Sequence, residues 1–125
     1  MKLSLIACLL LMAFVSGGQT VQPADTSSYV VKAKLLKKGY APDCGIVSWG
    51  LGQKFEMVAS SFDPAGKKII LIMTCPEMHG RDFFSEEKMY TIKIFRTRKI
   101  PVDAVVNDFK EENLPAFWIS EINRE

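Results

Sequence analysis

Apolar and polar residues alternate with a period of two along most of the chain, the spacing of extended strands rather than helices. In SYVVKAKLLKKG, Val31, Ala33 and Leu35 share one face, and Lys32, Lys34 and Leu36 share the other. That pattern predicts a half-buried strand ended by Lys37-Lys38-Gly39. The next apolar piece, CGIVSWGL over 44–51, is bounded by glycines and predicts a second strand or a bent continuation of the first. In QKFEMVASSF, Phe55, Met57 and Ala59 alternate with Lys54, Glu56 and Val58. Asp63-Pro64-Ala65-Gly66 then suits a type I turn. The run KKIILIMTC follows without a polar break, so it predicts a central strand covered on both faces and hairpinned to its predecessor.

Farther on, SEEKMYTIKIF sets Tyr90, Ile92 and Ile94 against Thr91 and Lys93, a further strand. Residues 101–113 are ambiguous. Val102, Val105, Val106 and Phe109 fit a helical stripe that Pro101 would open, although valines weaken it. The final LPAFWISEINRE predicts a last short strand packing Phe117 and Ile119 inward. Five or six short strands and one short helical segment therefore predict an all-β domain, a small closed or partly closed antiparallel barrel. A two-sheet sandwich is the alternative. Closure would hide the edges that IILIM otherwise exposes to aggregation.

The first residues break the period. Met1-Lys2 is followed by an apolar stretch to Val15 and then by Ser16, Gly17 and Gly18. A positive start, an apolar core and a small-residue exit describe a secretory signal peptide. Its core of about 13 residues is shorter than the roughly 20 that span a bilayer, so no membrane span is expected. Residues 1–18 are read as the signal peptide, 19–28 as a polar linker, and 29–125 as the barrel domain. Leu5-Ile6-Ala7-Cys8 resembles a lipobox, which makes a lipid anchor through Cys8 a minor alternative. The apolar run continues past Cys8, however, and a lipobox should end it.

Composition changes this picture little. The chain of 125 residues is 48% apolar and 24% charged, as expected of one packed domain. Its 16 basic and 14 acidic residues nearly cancel, which gives no reason to expect nucleic acid or another strongly anionic partner. Cysteine usage matters more. Without the signal peptide two cysteines remain, Cys44 and Cys75, and an even pair in an exported protein is read first as a disulfide. Closing a loop of roughly 31 residues would contribute about 3.5 to 4 kcal/mol through loop-closure entropy. The expected address is the periplasm or the exterior.

The order of these features carries a resemblance. Asp43-Cys44-Gly45 precedes a strand built on KFEMV, and GKKIILIMTC leads into Cys-Pro-Glu. A glycine-containing loop, the pair Phe83-Phe84 and KMYTIKIF come next, and the tail holds Leu-Pro-Ala-Phe-Trp. Over about residues 29–122 this resembles the small exported OB-like (oligonucleotide/oligosaccharide-binding) barrel proteins of bacteria. The resemblance implies a Greek-key barrel and supplies no catalytic residues, and fold alone does not give function.

The stretch TCPEMHG, residues 74–80, holds a cysteine, a carboxylate and the chain's one histidine. If it were extended, Cys75, Glu77 and His79 would share one side and could ligate a metal, but structural zinc usually takes four ligands. A nucleophilic Cys75–His79 pair lacks an orienting third group. The favoured reading is structural: Cys75 ends the central strand and bonds Cys44, Pro76 stops the ladder, and His79-Gly80 tips a loop. Trp49, Phe95, Arg96, Arg98, Lys99 and Trp118 form a possible ligand surface of stacking rings and cations. The competing view makes the aromatics core and the cations strand-end gatekeepers. The expectation is an exported, non-enzymatic binding or interaction module with no cofactor, meeting a protein or glycan of the cell envelope. A metal-dependent enzyme or metal carrier using Cys75, Glu77 and His79, and a netrin-like secreted inhibitor, are the alternatives.

Overall fold

A computed structural model describes residues 27–60, 67–96 and 102–125. The signal peptide, most of the linker, the turn at 63–66, Arg98 and Lys99 lie outside the described residues. Six strands form one sheet: β1 (Ser28–Lys37), β2 (Trp49–Ser60), β3 (Lys68–Thr74), β4 (Met89–Phe95), β5 (Ala104–Val106) and β6 (Ala116–Arg124). Their order is β1-β4-β6-β3-β2-β5, and β1 also pairs with β2. The five strands β1, β4, β6, β3 and β2 therefore close on themselves, with β5 as an extra strand. This barrel is compatible with an OB-like arrangement.

Closure depends on β1. One edge pairs antiparallel with β4, from Ser28↔Phe95 to Lys34↔Met89. The other pairs with β2, from Val31↔Ser60 to Lys37↔Lys54, with irregularities after Lys32 and Leu35. Such irregularities raise the local twist and let one strand serve both neighbours around a tight barrel. The expected alternation holds here, with Val31, Ala33 and Leu35 buried.

The hairpin of β2 and β3 runs from Gly50↔Thr74 to Glu56↔Lys68. All five residues of Ile69–Met73 are buried, as the unbroken apolar run predicts. Ile69, Leu71 and Met73 enter the main core with Phe55, Met57 and the fully buried Tyr90, Ile92 and Ile94. Ile70 and Ile72 point outward into a second cluster, where Phe109, Leu114 and Trp118 cover them. β6 pairs with β3 in parallel and with β4 antiparallel. A register shift opposite Lys93/Ile94 leaves Ser120 unpaired, so the buried phase steps from Ile119 to Ile122. The C-terminal residue ties two strands together. Lys32 of β1 and Thr91 of β4 both reach Glu125 Oε1 at 3.0 Å, and the Lys32 hydrogen bond chiefly holds that carboxyl below the usual range.

Two expectations change in detail. The helical stripe over 101–113 is replaced by β5, parallel to the start of β2 through Trp49↔Ala104 and Leu51↔Val106, and then by a lone 3-10 turn at Lys110–Glu112. Adjacent valines lose side-chain freedom in a helix and suit an extended edge. Ser48 N–H donates to Asp103 Oδ2 at 2.7 Å and Asp103 N–H to the Ser48 carbonyl at 3.0 Å, which docks β5 at that edge. Among the described residues the helical content is this turn and another at Pro76–His79. The piece 44–51 is not a strand of its own, because β2 begins only at Trp49 and runs on through 60.

Tyr90 shows how the interior is specified. Its hydroxyl donates to the Phe83 carbonyl at 2.7 Å and accepts from Ser85 N–H at 2.8 Å. Tyr90→Phe keeps the ring but orphans both backbone groups. The expected loss is about 1–3 kcal/mol in urea denaturation with an unchanged m-value, and unchanged stability would contradict the assignment.

Candidate functional site

The chain is least regular at one mouth of the barrel, where the connection 38–48 between β1 and β2 meets the connection 75–88 between β3 and β4. A disulfide between Cys44 and Cys75 joins them, with Cα atoms 5.5 Å apart and a sequence separation of 31. Cys75 makes the last ladder bond of β3, donating its N–H to the Trp49 carbonyl at 3.1 Å. It then turns left-handed, with φ of 49°, a conformation that strains a non-glycine residue. Pro76 carries the chain into the 3-10 turn Pro76–His79. Cys44 is held twice more: its N–H donates to Glu77 Oε1 at 2.6 Å, and its Sγ accepts from Trp49 N–H at 3.3 Å.

The favoured reading of TCPEMHG as a capped strand end therefore holds for its cysteine and proline. Cys75, Glu77 and His79 do not line up as an extended segment would place them, because the backbone is coiled into the turn. The close group of potential ligands is Cys44, Cys75 and Glu77, with ligand atoms within 4.8 Å of one another. In it both sulfurs are bonded to each other and Glu77 accepts from the Cys44 amide. His79 instead stacks on Phe83, with centroids 4.8 Å apart and a tilt of 31°, and meets Phe84 edge-on at 6.2 Å.

Between the two connections lies a cavity of about 300 Å³. Leu51, Gln53 and Phe84 line its inner part. Lys38, Tyr40 and Asp43 come from one connection, and Glu77, Gly80 and Arg81 from the other. Carboxylates from elsewhere fix the first connection by its backbone. Lys38 N–H donates to Glu86 Oε1 at 3.3 Å and Tyr40 N–H to Asp108 Oδ2 at 3.2 Å. Tyr40 itself stays 76% exposed. Gly39 also lines the cavity, and a Cβ there would collide with the Gly52 carbonyl, so only glycine lets the connection lie this close to β2.

Gln53 is the chemically unusual member. It is 1% exposed, the buried polar residue of the described core, and its Nε2 has no hydrogen-bond partner. Leaving a buried amide donor unpaired costs about 1–3 kcal/mol. Strand alternation sets Gln53 on the same face as Leu51, Phe55 and Met57, so the amide closes the apolar interior at its mouth.

Of the surface expected from Trp49, Phe95, Arg96, Arg98, Lys99 and Trp118, the described members are Trp49, Phe95, Arg96 and Trp118. Phe95 and Trp118 are cross-strand partners on β4 and β6. Trp118 packs on the second cluster, and a Cβ on Gly50 would meet its ring at 3.2 Å. Alternation sends Trp49 to the opposite face of β2 from Gly50. The Arg96 guanidinium lies 5.9 Å from the centroid of the Phe117 ring. Sequence reasoning named Glu77 of the mouth and singled out the pair Phe83-Phe84, but missed Gln53 and Tyr40. The available signal was in LGQKFEM, where a glutamine interrupts an inward apolar stripe.

Fold and site together define a small closed β-barrel with a disulfide-tied mouth that holds a pocket. Comparisons with protein-family models, curated proteins and solved structures return no match to this chain. Among the described residues, no helix is long and apolar enough to cross a membrane.

Replacing both cysteines, Cys44→Ala with Cys75→Ala, should cost about 2–5 kcal/mol. Hydrogen exchange should show the larger loss of protection at 38–48 and 75–84, with the β4 core amides opening last. Uniform loss across all strands would mean that the bond secures the barrel as a whole rather than its mouth.

Proposed function

We propose that the chain is an exported, non-enzymatic binding module of the OB-like kind, acting in the cell envelope, and that the mouth pocket takes its ligand. The observation that carries this reading is Gln53, a buried amide lining a cavity with no partner for its Nε2. An inward residue serving only the fold would be apolar, as Leu51, Phe55 and Met57 are. A buried amide kept among apolar neighbours beside a cavity is a departure that packing alone does not explain. The disulfide is consistent with an oxidising, exported location. A binding role is favoured over acid–base or metal chemistry because Glu77 is engaged with the Cys44 amide, Cys44 and Cys75 with each other, and His79 with Phe83.

Gln53→Leu tests this without knowledge of the ligand. The substitution exchanges an unpaired buried donor for a side chain of similar size, so the unliganded protein should gain up to about 1–3 kcal/mol in urea denaturation. A loss of stability, accompanied by shifted amide resonances across β1 and β4, would show that the amide serves the fold and would overturn the proposal.

A further inference from the structure

We infer that Cys44, Cys75 and Glu77 form a second clamp at the mouth: when the disulfide is reduced, they hold a divalent, thiolate-binding metal of the zinc class in its place. Their potential ligand atoms lie within 4.8 Å of one another. Two thiolate sulfurs on one tetrahedral zinc sit about 3.8 Å apart, and a sulfur and a carboxylate oxygen about 3.6 Å. Small side-chain rotations bring the three donors to those spacings once the sulfurs are free, because the backbone is also held by bonds other than the disulfide. Cys75 N–H donates to the Trp49 carbonyl at 3.1 Å, and Cys44 N–H to Glu77 Oε1 at 2.6 Å.

The hydrogen bonds around the group suit bound thiolate and carboxylate. Trp49 N–H donates to Cys44 Sγ at 3.3 Å. Sulfur in a disulfide is a weak acceptor, whereas a metal-bound thiolate carries the charge that such a donor stabilises. The Cys44 amide takes Oε1 of Glu77 and leaves the other oxygen for the metal, and ligating carboxylates are held in this way by a neighbouring donor. Two thiolates and one carboxylate leave a fourth position for water, the three-ligand pattern of open zinc sites. Sulfur donors select zinc over magnesium or calcium. His79 stays outside the set, stacked on Phe83.

The site belongs to the dithiol form, and the disulfide is its metal-free counterpart. A dithiol reductant supplies the two electrons and two protons: its thiolate attacks one sulfur of the bridge, its second thiol resolves the mixed disulfide, and Cys44 and Cys75 are released as thiols while the reductant becomes a disulfide. The metal then displaces both thiol protons. Bound there, it recloses the loop that the disulfide closed, so the mouth stays tied in either redox state. The clamp does not rest on the cavity taking a ligand, and its failure leaves that reading to the Gln53→Leu measurement.

The test uses the mature chain, reduced anaerobically with a phosphine and titrated with Co²⁺ as a coloured stand-in for zinc. One Co²⁺ per chain should bind, with a near-ultraviolet sulfur-to-cobalt band and the visible bands of a tetrahedral ion, and Zn²⁺ should displace it. The disulfide form, and the reduced chain carrying Cys44→Ser with Cys75→Ser, should show no such bands. Glu77→Gln keeps a carbonyl oxygen for the Cys44 amide but loses the charge, and should weaken Co²⁺ about tenfold or more. Below about pH 8 the affinity should fall about a hundredfold per pH unit of acidification, as two thiol protons compete with one metal. If the reduced chain unfolds, Co²⁺ should restore the hydrogen-exchange protection of 38–48 and 75–84 as it binds. No sulfur-to-cobalt band in the reduced chain, equal binding by the disulfide form, unchanged affinity in Glu77→Gln, or ligation by an unfolded chain without refolding would each overturn the site.

Discussion

The bond between Cys44 and Cys75 organises the mouth of this barrel. The barrel below it is secured by ladders on every side, but residues 38–48 leave β1 and reach β2 without joining the sheet. Their backbone is held at scattered points, by Glu86, Asp108 and Glu77. The covalent link sets Cys75, the residue just past β3, against the approach to β2, where the two strands are already in register at Gly50↔Thr74. It therefore closes the mouth where the sheet can resist. Loop-closure entropy of about 3.5–4 kcal/mol is large beside a net stability of about 5–15 kcal/mol. The linked Cys75 is itself left-handed and starts the 3-10 turn carrying Glu77 and Met78. Fold stability and pocket shape share one constraint.

A barrel this small has few places to hold a ligand. Its interior is filled by side chains from all five strands. The outer face of β2 and β3 is taken as well. Gly50 and Gly52 lie against Trp118 and Asn107, and Ile70 and Ile72 sit beneath Phe109 and Leu114. The segment 107–114 is secured there by Phe109 N–H donating to Asn107 Oδ1 at 3.0 Å and by the ion pair of Lys54 with Glu112. Trp118 covers Ile70 and Ile72 there. An open depression of about 540 Å³ runs along residues 105–111, and the mouth holds the cavity where the packed interior ends and the two irregular connections begin.

Much of this architecture was legible from strand periodicity. The stripes Val31-Ala33-Leu35 and Tyr90-Ile92-Ile94 are inward, and IILIM is covered on both faces, because burial on a pleated strand follows position parity. Cysteine count, read with the apolar stretch to Val15 as an expected export signal, predicted the disulfide. Segments where two periods compete were harder. Val102, Val105, Val106 and Phe109 satisfy a helical spacing, yet the outcome depended on the free edge at the start of β2, a tertiary fact that the local pattern does not contain. The start of β2 was hidden for a related reason: its outward positions are Gly50, against Trp118, and Gly52, against Ile70 and Asn107, so the alternation of Trp49 to Gln53 has no polar half. The pocket stayed hidden because its residues come from distant stretches that only barrel closure brings together.

Gln53 shows why a small departure from pattern can carry functional meaning. An amide in an apolar stripe is destabilising wherever it lies, but the position decides what can offset it. Two residues farther along β2, at Phe55, it would face the sealed core with Tyr90 and Ile92, where no outside group could reach it. Two residues earlier, at Leu51, it would sit nearer the disulfide and the Cys75 turn. At 53 the packed interior gives way to the cavity that the residue lines. Its Nε2 stays sealed there and without a partner, a cost of about 1–3 kcal/mol that an apolar residue would remove. Departures of this kind concentrate where a sequence answers to more than packing, which is the ground for placing the proposed site at the mouth.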